Sequence, residues 1–389
     1  MLTVALAALF LAHSPADPIA VVPFTVSEDA IVVKATVNGK DVSCLFDSGF
    51  SGAFVIGPHI DLGKPTGKMS LQDFVGVFDA DTIDVSSLKF GGLDLKHDGM
   101  LIVHLPTMSY TQAYGTHIDG IMGLEVLSHY VTEINFEKHE FILHPDSYDI
   151  SAMQPDGKRT FLTKMLPFGM NSIEMAVRAS TGKQMVLALD TGNAFYATTH
   201  KDVLEDAGLW KSGDTPKFMG KSQVASGVVD TWDYLIKDVK IFGVPVKQSV
   251  WSIIDLPSSS AQHNGTVGFQ FLKHFNITLD MQRRRVWFDN FAGTTVDPPE
   301  GDIGLVALYS QGRDRMVVVD VTPDGPAAKA GIKEGDYLVS VGDENLVQST
   351  YRHVRKILTG PVGSKVDIEV SSEGRLERFT LVREQLVNE

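Results

Sequence analysis

The chain has 389 residues, 43% of them hydrophobic, with 34 Lys and Arg against 48 Asp and Glu for a formal charge of −14. That content is enough for two or three domains with cores of their own, and the acidic balance argues against nucleic acid or an anionic membrane surface as the main partner. A single cysteine, Cys44, excludes an intrachain disulfide, and its place on an apolar run reads as a buried structural thiol.

In chain order, the first element is the apolar run from Met1 to Ala12, which is followed by His-Ser-Pro-Ala16. It is too short to span a bilayer and ends in small residues, the pattern of a secretory signal cut after Ala16. No later stretch reaches transmembrane length, so an exported chain, periplasmic or extracellular, with no integral membrane segment is expected. An alternating strand from Val32 then turns at Asn38-Gly39 and returns along Leu45-Phe46-Asp47-Ser48-Gly49. Hairpins follow around Phe74-Val75-Gly76 and around Phe90-Gly91. A short helix is expected after Gly123.

The second half repeats this plan. A strand from Glu174 turns at Thr181-Gly182 and returns along Ala188-Leu189-Asp190-Thr191-Gly192. Hairpins at Ala225-Ser226-Gly227 and at Phe242-Gly243 precede Gly268 and a second short helix. Asp47 and Asp190 are 143 positions apart, Gly123 and Gly268 are 145, and the segments after those glycines align without gaps. Near-constant offsets across separate landmarks mark a duplicated, strand-rich unit. A Pro/Gly-rich linker begins near Phe291, and the remaining residues form a separate unit with a helix at about 350–358. The expected division is a signal at 1–16, lobes at 17–155 and 156–292, a linker at 293–302 and a small domain at 303–389.

Two carboxylates held together cannot both ionise comfortably, so one retains a proton. The ionised member can then deprotonate a water while the protonated one donates to a carbonyl oxygen, which hydrolyses an amide without metal or covalent intermediate. Each acid is followed by a hydroxyl and a glycine. Ser48 and Thr191 can hydrogen-bond across the axis, and Gly49 and Gly192 allow close backbone approach.

Phe46-Asp47-Ser48-Gly49, Leu189-Asp190-Thr191-Gly192, Ile121-Met122-Gly123 and Thr266-Val267-Gly268 resemble the pepsin/retropepsin group of aspartic proteases, most closely bacterial retropepsin-like chains with two fused lobes, over roughly residues 28–292. The resemblance implies a mainly β fold of two pseudo-twofold-related β-barrel lobes. It implies Asp47 and Asp190 as catalytic residues, supported by Ser48, Gly49, Thr191 and Gly192, with Gly123 and Gly268 packed beneath the acid loops. It also implies a flap, for which the candidates are Phe74, Gly76, Ser226 and Gly227. The chain departs from the group's usual fourth residue, carrying Phe50 and Asn193 there, which alters hydrogen bonding around the acids.

The run Gly325-Pro-Ala-Ala-Lys-Ala-Gly-Ile-Lys-Glu-Gly-Asp-Tyr-Leu-Val-Ser-Val resembles the PDZ domains attached to bacterial exported proteases, small α+β units. There an early loop and strand, here Ile303, Gly304, Leu305 and Val306, receive a peptide C-terminus by strand addition. The reading is an exported aspartic endopeptidase acting on peptides or unfolded proteins, with peptide C-termini bound at the PDZ unit and no cofactor or metal. The rival is a catalytically silent peptide-binding adaptor or chaperone of the same fold. A trypsin-like order is excluded because only His13 precedes Ser48, and His129 and His274, at equivalent repeat positions, read as packing or capping residues.

Overall fold

Asn38 and Gly39 take φ of 49° and 75°, the pair of left-handed conformations that a two-residue type I′ turn needs. They join Ala30–Val37 to Lys40–Asp47 in register from Ile31 opposite Phe46 to Val37 opposite Lys40. A computed structural model describes residues 17–72, 77–104, 114–168, 172–214, 216–224, 227–258, 264–296, 298–310 and 315–389. The expected signal, residues 1–16, lies outside them. Among the described residues, no helix is long and apolar enough to cross a membrane.

The protein is mainly β. In the first lobe the sheet runs Gly67–Gln72, Val77–Asp84, Leu101–His104, Phe54–Ile56, Gly120–Gly123, Lys40–Asp47, Ala30–Val37. In the second it runs Gly220–Val224, Gly227–Ile241, Val244–Ile254, Ala197–His200, Gly265–Val267, Gln184–Leu189, Glu174–Arg178. The two orders correspond position by position. In each, the short strand ending at or just before Gly123 or Gly268 lies parallel to the strand that carries the acid and antiparallel to its other neighbour. Each barrel also closes in the same way, Ala30–Val37 on Leu88–Phe90 and Glu174–Arg178 on the end of Gly227–Ile241.

A further six-stranded sheet joins the lobes. At its centre Val131–Asn135 pairs antiparallel with Asn276–Asp280, and Glu133 stands opposite Thr278. These two residues are 145 positions apart, the same offset as Gly123 and Gly268, so the local twofold passes through this pair. One apolar core runs through both lobes, including the edge-on contact of Phe136 with Phe269 at 5.7 Å. The expected helices after Gly123 and Gly268 are one turn each, Leu124–Leu127 and Phe269–Leu272.

The C-terminal unit has its own core around Ile303, Met316, Leu338, Val354 and Ile368. Its sheet begins with Leu305–Ser310 at one edge, paired on one side with Arg315–Val321. The helix Tyr351–Leu358 packs beside that edge strand; Thr350 caps it by accepting the His353 N–H at 3.1 Å.

This helix is also the dock to the lobes. Arg352 donates to the Glu28 carbonyl at 2.7 Å and lies over the Tyr114 ring at 4.5 Å. One turn on, Arg355 lies over the Phe195 ring at 4.7 Å and meets the Asp233 carboxylate at 3.4 Å. At the chain end, Asn388 pairs as an added strand residue beside Tyr234, exchanging backbone bonds with Asp233 and Leu235 at 2.9 and 2.8 Å. The docked helix thus touches one lobe through Arg352 and the other through Arg355. Replacing both arginines by alanine is expected to loosen the unit, leaving it tied mainly through Asn388, without unfolding either core. Limited proteolysis should then nick the 293–302 linker several-fold faster, while the thermal transition of the lobes stays in place; an unchanged nicking rate would count against the dock.

Candidate active site

Each acid closes a buried strand. Asp47 follows Cys44, Leu45 and Phe46, and Asp190 follows Leu187, Ala188 and Leu189, so the apolar residues inside the barrel deliver the carboxylate to its rim. The loops after the acids are locked across the twofold by four buried hydrogen bonds. The Ser48 N–H donates to Thr191 Oγ1 and the Thr191 N–H donates to Ser48 Oγ, both at 3.0 Å. The hydroxyls then donate onward, Ser48 to the Leu189 carbonyl at 2.9 Å and Thr191 to the Phe46 carbonyl at 2.8 Å.

The glycines explain how the carboxylates meet. A methyl group on Gly49 would lie 2.7 Å from the Asp190 carboxyl carbon, and one on Gly192 would lie 2.6 Å from that of Asp47. Each acid therefore packs on the other lobe's glycine. Each is also held by its own loop: Asp47 Oδ1 accepts the Gly49 and Phe50 N–H groups at 2.8 and 3.2 Å, and Asp190 Oδ1 accepts those of Gly192 and Asn193 at 2.9 and 3.1 Å. Gly123 and Gly268 lie beneath these loops. A side chain on Gly123 would strike the Gly52 carbonyl and the Phe50 ring, and one on Gly268 the Phe195 carbonyl and the Asn193 amide.

The two carboxyls hydrogen-bond to each other. Burial is the main force on both and raises both above the ordinary carboxylate range; at Asp47 the charge of Asp190 adds to it. The surroundings of the two acids differ in one respect. The Thr266 hydroxyl bonds to Asp190 and favours its ionised form, and the residue that occupies the same place in the first lobe is Ile121. In the sequence the mark of this asymmetry is a hydroxyl at Thr266 where the first copy has Ile121.

The unusual fourth residues take different parts. Asn193 donates from its side chain to Thr198 Oγ1 at 3.0 Å and to Thr266 Oγ1 at 2.7 Å, while its side-chain oxygen accepts the Phe195 N–H at 2.9 Å. It thereby orients the hydroxyl that faces Asp190. Phe50 instead packs its ring against Gly52 and Gly123. Tyr114 is a further neighbour that the repeat did not reveal. Burial pushes its phenol up, Arg352 opposes this, and the charges of both acids reinforce it, which puts the ring within electrostatic reach of the pair.

Of the flap candidates, Phe74, Gly76 and Ser226 lie outside the described residues, and Gly227 opens the strand Gly227–Ile241 opposite Val224. His129 is exposed; burial lowers His274 to about 4, as suits a packed neutral imidazole. In the C-terminal unit, Ile303 is fully buried and its carbonyl accepts the Ala327 N–H at 2.8 Å. Gly304 has a φ of 73° and donates its N–H to Asp302 Oδ1 at 2.8 Å, so this donor already holds an internal carboxylate. Leu305 and Val306 begin the open edge strand.

Comparison with known proteins gives matches over parts of the chain. A 70-residue stretch, 18% of this chain and 18% of the relative, is 34% identical to a protein named as a zinc metalloprotease in Brucella suis. An 88-residue stretch is 32% identical to carboxyl-terminal-processing peptidase 2, chloroplastic, of Arabidopsis thaliana, covering 22% of this chain and 17% of that one. The chain therefore spans less than a fifth of the length of these curated relatives. Among solved structures, the aspartic proteinase of Irpex lacteus aligns over 71% of this chain and 98% of its own at 13% identity, with a TM-score of 0.45. Residues 317–371 match the family described as the PDZ domain, and the C-terminal unit of this chain is a PDZ domain.

Proposed function

We propose that this chain is an aspartic endopeptidase whose substrate water is held between Asp47 and Asp190. The observation that carries the reading is the meeting of two carboxylates, each packed on the other lobe's glycine and bonded to its partner. The Thr266 hydroxyl favours Asp190 as the ionised member, and the neighbouring Asp190 charge keeps the proton on Asp47. In this assignment Asp190 takes a proton from the water as its oxygen attacks the peptide carbonyl carbon. Asp47 gives its proton to the carbonyl oxygen, forming a neutral tetrahedral diol. On collapse the C–N bond breaks, the amine leaves with the proton held by Asp190, and a diol proton returns to Asp47. The cycle restores both acids and consumes one water.

The PDZ domain supplies the second part of the proposal. The edge of Leu305–Ser310 offers a strand for addition of a peptide C-terminus, with the Tyr351–Leu358 helix as the groove wall. The names of the curated relatives, a metalloprotease and a processing peptidase, favour a proteolytic setting for such a domain.

The test is the pH dependence of cleavage of an unfolded protein. Catalysis needs one proton on the pair, so the rate should rise as the first carboxyl ionises and fall as the second does. Both carboxyls are raised, which moves the falling limb above the ordinary carboxylate range, within roughly pH 3 to 7 for a shared-proton pair. A rate that is flat across that range, or no cleavage anywhere in it, would reject the dyad.

A further inference from the structure

At the opposite end of the strand pair that carries Asp47, three side chains from two loops meet, His59 after Phe54–Ile56 and His117 and Asp119 just before Gly120–Gly123. His59 Nε2 and His117 Nε2 both point at one oxygen of Asp119, at 2.8 and 2.7 Å. The three ligand atoms lie within 4.8 Å of one another. We propose that His59, His117 and Asp119 bind a divalent transition-metal ion of the Zn2+ type, with a fourth position left to water.

The site is built on fixed backbone. The Asp119 N–H donates to the Ser43 carbonyl at 2.7 Å, the Ser43 N–H donates to Asp119 Oδ2 at 2.8 Å, and the Gly57 N–H donates to the Asp119 carbonyl at 2.9 Å. Asp119 is 5% exposed, so its carboxylate is anchored and turned with Oδ1 toward the two imidazoles. Gly57 makes room for one of them, since a side chain there would lie 2.8 Å from the His59 ring. A buried carboxylate is costly unless paired or coordinated, and the side-chain groups facing this one are two imidazoles, which carry full charge only when protonated.

The donor set suits the ion. Two imidazoles and one carboxylate are borderline ligands of the kind that zinc takes, at about 2.0–2.2 Å. Tetrahedral bonds of that length separate ligand atoms by roughly 3.3 Å, so each imidazole must draw back by about half an ångström. Both rings can do so, because their side chains are 43% and 67% exposed. The site is also separate from the acid pair. Ser43 and Asp47 are four residues apart on one strand, about 13 Å at ~3.3 Å per residue. A metal there would clamp the loop after Phe54–Ile56 onto the base of Gly120–Gly123 and would not enter the hydrolytic step.

The experiment uses the full chain freed of metal by chelation and then titrated with ZnCl2 by calorimetry. The expected result is one ion per chain with a Kd in the micromolar range or tighter, and a higher melting temperature in saturating zinc. The double variant His59→Ala, His117→Ala alters only surface rings. It should fold, lose at least tenfold in affinity and lose the zinc-dependent melting shift. Wild-type protein that takes up no zinc would show a hydrogen-bonded His–Asp–His cluster only. Zinc uptake of equal affinity in the double variant would place the ion elsewhere. Either result overturns the proposal.

Discussion

Asp190→Asn is expected to lower the turnover number by about 10³-fold or more, the upper range for removal of a general base, while the Michaelis constant moves by no more than a few-fold. Asparagine is nearly isosteric and can keep the bonds from the Gly192 and Asn193 N–H groups and the contact with Gly49. What it cannot do is accept a proton from water. Asp47→Asn should be as damaging, because the proton donor is lost. Rates at saturating substrate, measured beside the wild type at its best pH, decide the matter: a variant that retains a tenth of the activity would exclude Asp190 as the base.

The same substitution carries a stability signature of opposite sign. Burial raises both carboxyls above the values they have in the unfolded chain, so the folded state holds protons that the unfolded state has released. Such groups stabilise fully at pH below the unfolded value, and that stabilisation is lost as pH rises through the folded value. Wild-type protein should therefore gain melting temperature on acidification from neutral pH toward the ordinary carboxylate range. Asp190→Asn removes one titrating group and one buried like charge, so it should melt higher than wild type at neutral pH and respond less to acid. Parallel pH profiles for the two proteins would show that the pair does not share a proton.

Thr191→Val is expected to cause the largest loss of stability among single changes at the site. Thr191 is fully buried; its hydroxyl donates to the Phe46 carbonyl and accepts the Ser48 N–H. Valine keeps the shape and leaves both backbone groups buried without a partner, at ~1–3 kcal/mol each. The sum, about 2–6 kcal/mol, corresponds at roughly 2–4 °C per kcal/mol to a fall in melting temperature of about 4–24 °C. Cleavage should fall as well, because the hydroxyl bonds are what hold the two acid loops in mutual register. Thr191→Ser, which keeps the hydroxyl, should restore most of both. Calorimetric melting with activity on one substrate checks this, and a valine variant that melts within 2 °C of wild type would show that the lock contributes little.

The duplicated architecture could be read from the chain because each lobe spells the same plan locally. Turn pairs such as Asn38-Gly39 set hairpin geometry, alternation sets the buried face, and the acid, hydroxyl and glycine recur at a near-constant offset. The PDZ domain could be read for a similar reason, since its turn, short helix and Gly335-Asp336 strand opening are contiguous in sequence. The correspondence of strand order between lobes follows from one pattern folding twice.

Contacts between distant segments could not be read in that way. Nothing local marks Thr266 as the hydroxyl that distinguishes Asp190 from Asp47, or Asn193 as the group that orients it. His59 and His117 are 58 positions apart and have no matching pair in the second lobe, so no spacing rule brings them to Asp119. The docking of Arg352 and Arg355 across two lobes likewise depends on where whole domains come to rest. Periodicity and turn chemistry act over a few residues, and so the chain alone specifies elements, the repeat and the identity of the paired acids. Which carboxyl faces a hydroxyl, which loops share a cation site and which domain face is covered depend on packing between segments far apart in sequence, and there only the assembled fold decides.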